Sequence, residues 1–137
     1  MREWLKIGKE DRYILSLSPS HPRKNVSTVL RSFRRLRTLF PNTKEKLVLC
    51  GWGVETSEEV RISRHLVEEQ PGANALIVRG GLVNEELLPA LYAEASAFVS
   101  LSLGEGFGLP PLEAAAAGCP VVVGNVPPFH EAGVLHQ

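Results

Sequence analysis

Short, continuous apolar runs alternate along the chain with longer stretches in which apolar side chains recur every three or four residues. The runs lie at positions 13–18 (YILSLS), 47–50 (LVLC), 75–78 (ALIV), 97–101 (AFVSL) and 121–123 (VVV). They are too short for helices and rich in Leu, Ile and Val, so they are predicted as buried strands. The first helical stretch starts at a cap, Asn25 or Ser27, and reaches about Phe40. Its apolar face is Val26, Val29, Leu30, Phe33, Leu36 and Phe40. A second starts at Thr56, where Glu59 completes a possible capping box, and reaches about Gln70, before Pro71-Gly72. A third is capped by Asn84, has Pro89 in its first turns and presents Leu87, Leu88, Leu91 and Tyr92. A fourth starts near Pro110 and stops at Gly118.

The order is βαβαβαβαβ, the pattern of a parallel sheet with helices on both faces. In such α/β folds ligands bind outside the carboxyl ends of the strands, at the loops that follow them. Here those loops are 18–25, 50–56, 79–84, 101–110 and 124–131. One domain over residues 1–137 is the expected organisation, since 137 residues with 44% apolar content suit a single core. No apolar run approaches the roughly 20 residues of a membrane span, and the charged start MREWLKIGKEDR is unlike a signal peptide. Cys50 and Cys119 have neither disulfide-framework nor zinc spacing, so a cytoplasmic protein is expected. His21, His65, His130 and His136 are scattered and form no metal set.

Charge is unevenly spread. Residues 1–46 carry 12 Lys/Arg against 4 Asp/Glu, and residues 47–137 carry 3 against 11. A basic face for an anionic ligand or a lipid surface is one reading, and a solvated, mutually neutralising distribution is the other. Arg31, Arg34 and Arg35 share a helix face that could touch anionic lipid as well as simply face water. Nucleic-acid motifs, GxGxxG and the phosphate loop GxxxxGK[ST] are all missing from the sequence.

The richest stretch is SLGEGFGLPPLEAAAAGCPVVV. The three glycines of its loop, Gly104, Gly106 and Gly108, permit close backbone approach to a ligand. It runs into a helix N-terminus, whose unpaired N–H groups attract anions. Glu105 stands in the loop and Glu113 in the first turns of the helix, seven residues between them. Carboxylates so placed can accept paired hydrogen bonds from vicinal hydroxyls, as on sugars and riboses. Each feature by itself also fits a plain tight turn and an acid that complements the helix dipole.

EGFGLPPLEAAAAGCPVV resembles the signature of GT-B glycosyltransferases of the group 1, or family 4, type. Four further segments are similar to that family in the same order. They are YILSLSPSHPRKNVSTVLRSF, LVLCGWG, GLVNEELLPALYAEASAFVSLS and VPPFHEAG. The resemblance implies a Rossmann-like parallel sheet with helices on both faces, the C-terminal, nucleotide-sugar-binding half of a two-domain enzyme. Glu113 would hold the nucleotide's ribose hydroxyls and Glu105 the hydroxyls of the donor sugar. Main-chain N–H groups of Gly106, Phe107, Gly108 and Leu109 would face sugar and phosphates. Lys24 would bind the diphosphate, and the backbone near Arg79 and Gly80 would lie against the base. Lys24 and Glu105 are thus the expected catalytic residues. A lysine that stabilises the departing diphosphate acts most strongly in the transition state.

The resemblance further implies retaining transfer to an acceptor hydroxyl of a glycan, lipid or small molecule, as in polysaccharide biosynthesis, with peripheral membrane contact in some members. The donor would be a UDP-, GDP- or ADP-sugar, with no metal and no other cofactor. An N-terminal acceptor domain, in cis or in trans, would complete the site, and no residue of this chain is an evident general base. One departure stands out. Ser18 occupies a position where many members have arginine or glycine, which leaves Arg23, otherwise expected to point away, as a possible substitute. Glu131 matches the family's Glu-x-x-Gly and is either a ligand contact or a loop support. A non-catalytic nucleotide-sugar-binding module, or a subunit of a split transferase, is the alternative; a sugar-nucleotide epimerase fits the extended signature less well.

Overall fold

Five parallel strands stand in the order β3-β2-β1-β4-β5: β1 (Arg12–Leu17), β2 (Glu45–Gly51), β3 (Leu76–Gly80), β4 (Ala97–Ser100) and β5 (Val121–Val123). The computed structural model describes residues 1–17, 22–68, 75–103 and 109–124. Five helices accompany the strands: α1 (Arg2–Leu5), α2 (Val26–Leu39), α3 (Glu58–Glu68), α4 (Leu88–Glu94) and α5 (Leu109–Ala116). The doubly wound α/β class expected from the alternation is the observed one.

Alternation along β1 and β2 divides the interior in two. Tyr13, Leu15, Val48 and Cys50 point to one side, where they meet Leu5 of α1, Leu91 and Tyr92 of α4 and Ala114 of α5. Leu47 and Leu49 point to the other, where Val26, Val29, Leu30 and Phe33 of α2 and Val60 and Val67 of α3 cover them. Every one of these side chains is nearly inaccessible. Full burial of a Leu, Val or Phe side chain stabilises the fold by roughly 1.5–3 kcal/mol relative to exposure. Tyr13 fastens β1 to α4, its hydroxyl donating to the Leu91 carbonyl at 2.8 Å. Burial, and then the charge of Glu94, pushes its pKa up, so the phenol stays protonated. Both cysteines are buried and free. Burial pushes the Cys50 thiol up to about 12, with the Arg79 charge partly opposing the shift.

Several boundaries move from their expected places. The four-residue helix α1 was not foreseen, because its residues REWL are mostly polar; Leu5 buries itself and Lys6, at φ 58°, ends the helix. Phe40, expected on the apolar face of α2, is 61% exposed. It leaves helical geometry (φ −127°, ψ 76°), which turns the ring outward. The cap of α3 is Ser57, whose hydroxyl accepts from the Val60 N–H at 3.3 Å, and Thr56 instead closes a short 3-10 turn, Val54–Thr56. Asn84 caps a turn rather than the helix itself: its side chain accepts from Glu86 N–H at 2.9 Å, and α4 begins at Leu88. Gly118, at φ 82°, ends α5 as expected. Residues 18–21 and Pro71-Gly72 lie outside the described residues.

Edge strand β3 is fastened to α1 by one side chain. Arg79 donates from Nε to the Trp4 carbonyl (2.8 Å), from Nη2 to the Leu5 carbonyl (3.1 Å) and from Nη1 to the Val78 carbonyl (2.9 Å). The carbonyls at a helix C-terminus lack intrahelical donors, and a guanidinium satisfies them with favourable charge. Replacing Arg79 with alanine is expected to lower unfolding free energy by about 2 kcal/mol in urea denaturation. Lysine is expected to recover little of it, because a point charge cannot reproduce the fork. A fully stable Arg79→Ala variant would show that α1 is held by apolar contact alone.

Candidate functional site

The site is built where the winding reverses. β1 and β4 are neighbours, with Ile14 opposite Ala97 and Leu15 opposite Phe98. After β1 the chain passes to α2 on one face, and after β4 it passes to α5 on the other. The loops that follow these two strands lead to opposite faces, and the carboxyl end between such strands is the usual ligand position in this fold class.

Two hydrogen bonds join these loops. The Leu103 N–H donates to the Arg23 carbonyl at 2.7 Å, and the Asn25 side-chain amide donates to the Leu101 carbonyl at 3.1 Å. Asn25 also accepts from the Thr28 hydroxyl at 2.7 Å. Its backbone is left-handed, at φ 55° and ψ 43°, a conformation that asparagine tolerates better than most residues with a Cβ. Asn25 was expected as a helix cap. It occupies the capping position, but its side chain makes no cap hydrogen bond and reaches across to the β4 loop. Lys24 precedes it, half-buried, at the end of a 3-10 turn, Pro22–Lys24. Arg23 is exposed. Lys24 thus sits in the loop tied to 101–103, the residues that lead into the glycine-rich segment.

Leu109 is the first residue of α5 and is 55% exposed. Glu113 is an exposed residue of the same helix. Its Oε2 accepts a hydrogen bond from the Tyr92 hydroxyl at 3.0 Å. Both side chains border an open groove of about 500 Å³, whose other walls are Glu85, Leu88, Pro89, Ala116 and Ala117. Burial, and then the hydrogen bond to Glu113, raises the Tyr92 pKa, so the phenol is the donor in this pair.

At the end of β3, Arg79 turns its side chain to α1, as described above. Gly80 lies beneath Glu55, from the loop after β2. A Cβ built on Gly80 would stand 2.6 Å from the Glu55 carboxyl, so this glycine makes room for an acid. Glu105, Gly106, Phe107 and Gly108 lie outside the described residues, as do Ser18, His130 and Glu131. Among the described residues no three His, Cys, Asp or Glu converge as metal ligands, and no helix is long and apolar enough to cross a membrane. Arg31, Arg34 and Arg35 are all exposed on α2.

The sequence reading had not connected Tyr92 to Glu113. Tyr92 was counted only as part of the apolar face of α4, although a phenol on a buried stripe needs a polar partner and signals one. The role of Asn25 had no such local signal, since its partner is 76 residues away.

Residues 1–134 match the family model for glycosyl transferases group 1. The chain belongs to that family. Among its relatives is an O-antigen chain mannosyltransferase of Salmonella typhimurium, 29% identical over 129 residues, covering 94% of this chain and 34% of that protein. O-antigen chain mannosyltransferase B of Escherichia coli is 38% identical over 115 residues, covering 83% of this chain and 29% of its own. Among solved structures, a UDP-forming α,α-trehalose-phosphate synthase from Burkholderia xenovorans superposes with a TM-score of 0.71 at 15% identity. It covers 95% of this chain and 32% of that one. This last likeness concerns the fold. The chain spans about a third of the length of these proteins.

Substitutions at Asn25 separate backbone from side chain. Glycine keeps the left-handed conformation and removes the side-chain bonds to Leu101 and Thr28, an expected loss of about 1 kcal/mol. Alanine loses the tie and places a Cβ in a disfavoured region, for an expected loss of about 2–3 kcal/mol. Equilibrium denaturation ranks the two; a glycine variant less stable than the alanine one would contradict the assigned backbone role.

Proposed function

We propose that this chain is the nucleotide-sugar-binding half of a retaining, metal-independent glycosyltransferase that moves a hexosyl group, mannosyl in the first instance, to an acceptor hydroxyl. The observation that carries the reading is the tie between the β1 and β4 loops. It places the Lys24 turn beside the strand end from which the glycine-rich segment and the Glu113 helix depart. On this reading a cation, a helix N-terminus and an acid would share the carboxyl end of the sheet. That is the set needed to hold a diphosphate and a ribose together.

The chemistry follows from charge. Breaking the bond between anomeric carbon and phosphate oxygen leaves negative charge on the diphosphate. Lys24 and the main-chain N–H groups of Phe107, Gly108 and Leu109, ahead of the two prolines in the first turn of α5, would stabilise that charge most when it is most developed. Glu113 accepts from the ribose hydroxyls and Glu105 from the sugar hydroxyls, so nucleotide and sugar are oriented by separate acids. Arg79 and Gly80 contribute main chain against the base, and Gly106, Phe107, Gly108 and Leu109 line the sugar and phosphates. The mannosyltransferase names of the curated relatives support a mannosyl donor, and the word O-antigen in those names supports a glycan acceptor. An acceptor-binding domain, in cis or in trans, would close the cleft.

A thermal-shift screen of UDP-, GDP- and ADP-sugars tests the reading. At a hundredfold excess over Kd the bound donor is expected to add about 2.7 kcal/mol of stability. Calorimetry should then find that Glu113→Ala weakens the nucleotide by about ten- to a hundredfold, the range for a hydrogen bond to a charged group. No stabilisation by any donor, or unaltered affinity in Glu113→Ala, would refute the assignment. Lys24→Ala is expected to weaken a nucleoside diphosphate by a similar factor while leaving the nucleoside unaffected; equal effects on both would remove the lysine from the phosphate site.

A further inference from the structure

We infer that Tyr92 is a positioning residue, which holds the Glu113 carboxylate in the orientation that receives the ribose. The inference rests on the donor reading of Glu113 given above and adds to it a residue to which neither the sequence nor the resemblance assigned a role at the site.

Glu113 is an exposed acid with freely rotating side-chain bonds, poorly ordered by anything in its own helix. Accepting two hydroxyls at once requires its carboxylate to be set in one plane beforehand, since each rotor frozen on binding weakens affinity. The phenol of Tyr92 donates to that carboxylate, at 3.0 Å to Oε2. The Tyr92 ring is itself fixed. It is 3% exposed and meets Phe98 edge-to-face, with centroids 5.7 Å apart and planes at 70°. The neighbouring residue on α4, Leu91, is anchored through its carbonyl to the buried hydroxyl of Tyr13. A rigid chain of contacts therefore runs from β1 and β4, through α4, to a single phenolic hydrogen at the lip of the groove.

Donation from the phenol uses one lone pair of Oε2. Oε1 and the remaining lone pair of Oε2 stay available, enough for two hydroxyl donors. Because burial and the carboxylate both keep the phenol protonated, the contact persists through the neutral pH range. The groove beside the pair, about 500 Å³ and walled by Leu88, Pro89, Ala116 and Ala117, leaves room for a sugar ring.

Tyr92→Phe keeps the ring and its packing and removes only the hydroxyl. The probes are GDP, UDP and ADP, each with its 2′-deoxy counterpart, titrated by calorimetry into the wild-type chain, Tyr92→Phe, Glu113→Ala and the double variant. For a nucleotide that the wild type binds, Tyr92→Phe is expected to weaken the ribose form about five- to tenfold and the 2′-deoxy form by less than about twofold. In the Glu113→Ala background the same change is expected to have no effect, since the two residues act as a unit. A purely structural tyrosine would lower thermal stability and weaken ribose and deoxyribose forms equally, or act the same with and without Glu113; either result overturns the inference. Unchanged affinity in Tyr92→Phe alongside a loss in Glu113→Ala overturns it and leaves the donor reading standing. A wild-type chain that binds none of the nucleotides, or a Glu113→Ala variant that binds them normally, overturns both. If Tyr92→Phe does not fold, Tyr92→Trp, which keeps an aromatic ring, gives the same comparison of ribose with deoxyribose.

Discussion

The contact between the Asn25 amide and the Leu101 carbonyl, with its companion from Leu103 to Arg23, is what turns two divergent loops into one site. Parallel strands that send their helices to opposite faces must separate at their carboxyl ends, and nothing in sheet pairing restrains the loops beyond that point. Sheet hydrogen bonds between β1 and β4 stop near their last paired residues, Leu15 and Phe98. The two loop bonds carry the association further along the chain, past the end of the ladder, to the residues next to Lys24. Asparagine at position 25 supplies both requirements at once: a left-handed backbone and a side-chain donor of the right length.

Beneath the carboxyl end of the sheet the two apolar interiors divide the work. The interior on the α2 and α3 side supports β1, β2 and β3, and so holds the lysine loop and the end of β3. The interior on the α4 and α5 side supports β1 and β4 and holds the acid. β1 and β2 belong to both, with Tyr13, Leu15, Val48 and Cys50 on the α4 and α5 side and Ile14, Leu47 and Leu49 on the other. Close-packed interiors of this kind tolerate little change of volume. A disturbance that shifts either strand would therefore be felt on both sides of the sheet.

The class of fold was legible because each strand is a nearly unbroken apolar run, and β5 was bounded to the residue at Val121–Val123. Helix starts were less legible. Several capping-type residues stand close together before α3 and α4, and only tertiary packing decides which of Thr56 and Ser57 caps and whether Asn84 opens a helix or a turn. Phe40 failed because periodicity continues past the point where the backbone leaves the helix. At the site, Lys24 and Glu113 could be found from their loops, and the family resemblance gave them roles. Contacts between elements were not legible. Tyr92 and Glu113 are 21 residues apart, and Arg79 lies 75 residues from Trp4. No local pattern encodes such pairs.

The guanidinium of Arg79 is wholly committed to three carbonyls, two of them in the first helix. Beyond that contact residue 79 offers only its peptide group, and a peptide group is the same whatever residue carries it. On the reading proposed above, whatever residue 79 contributes to discrimination between bases would come from the path of the main chain, so a change of preference at that point would arise through insertions, deletions or glycine exchanges in the loop rather than through a new side chain.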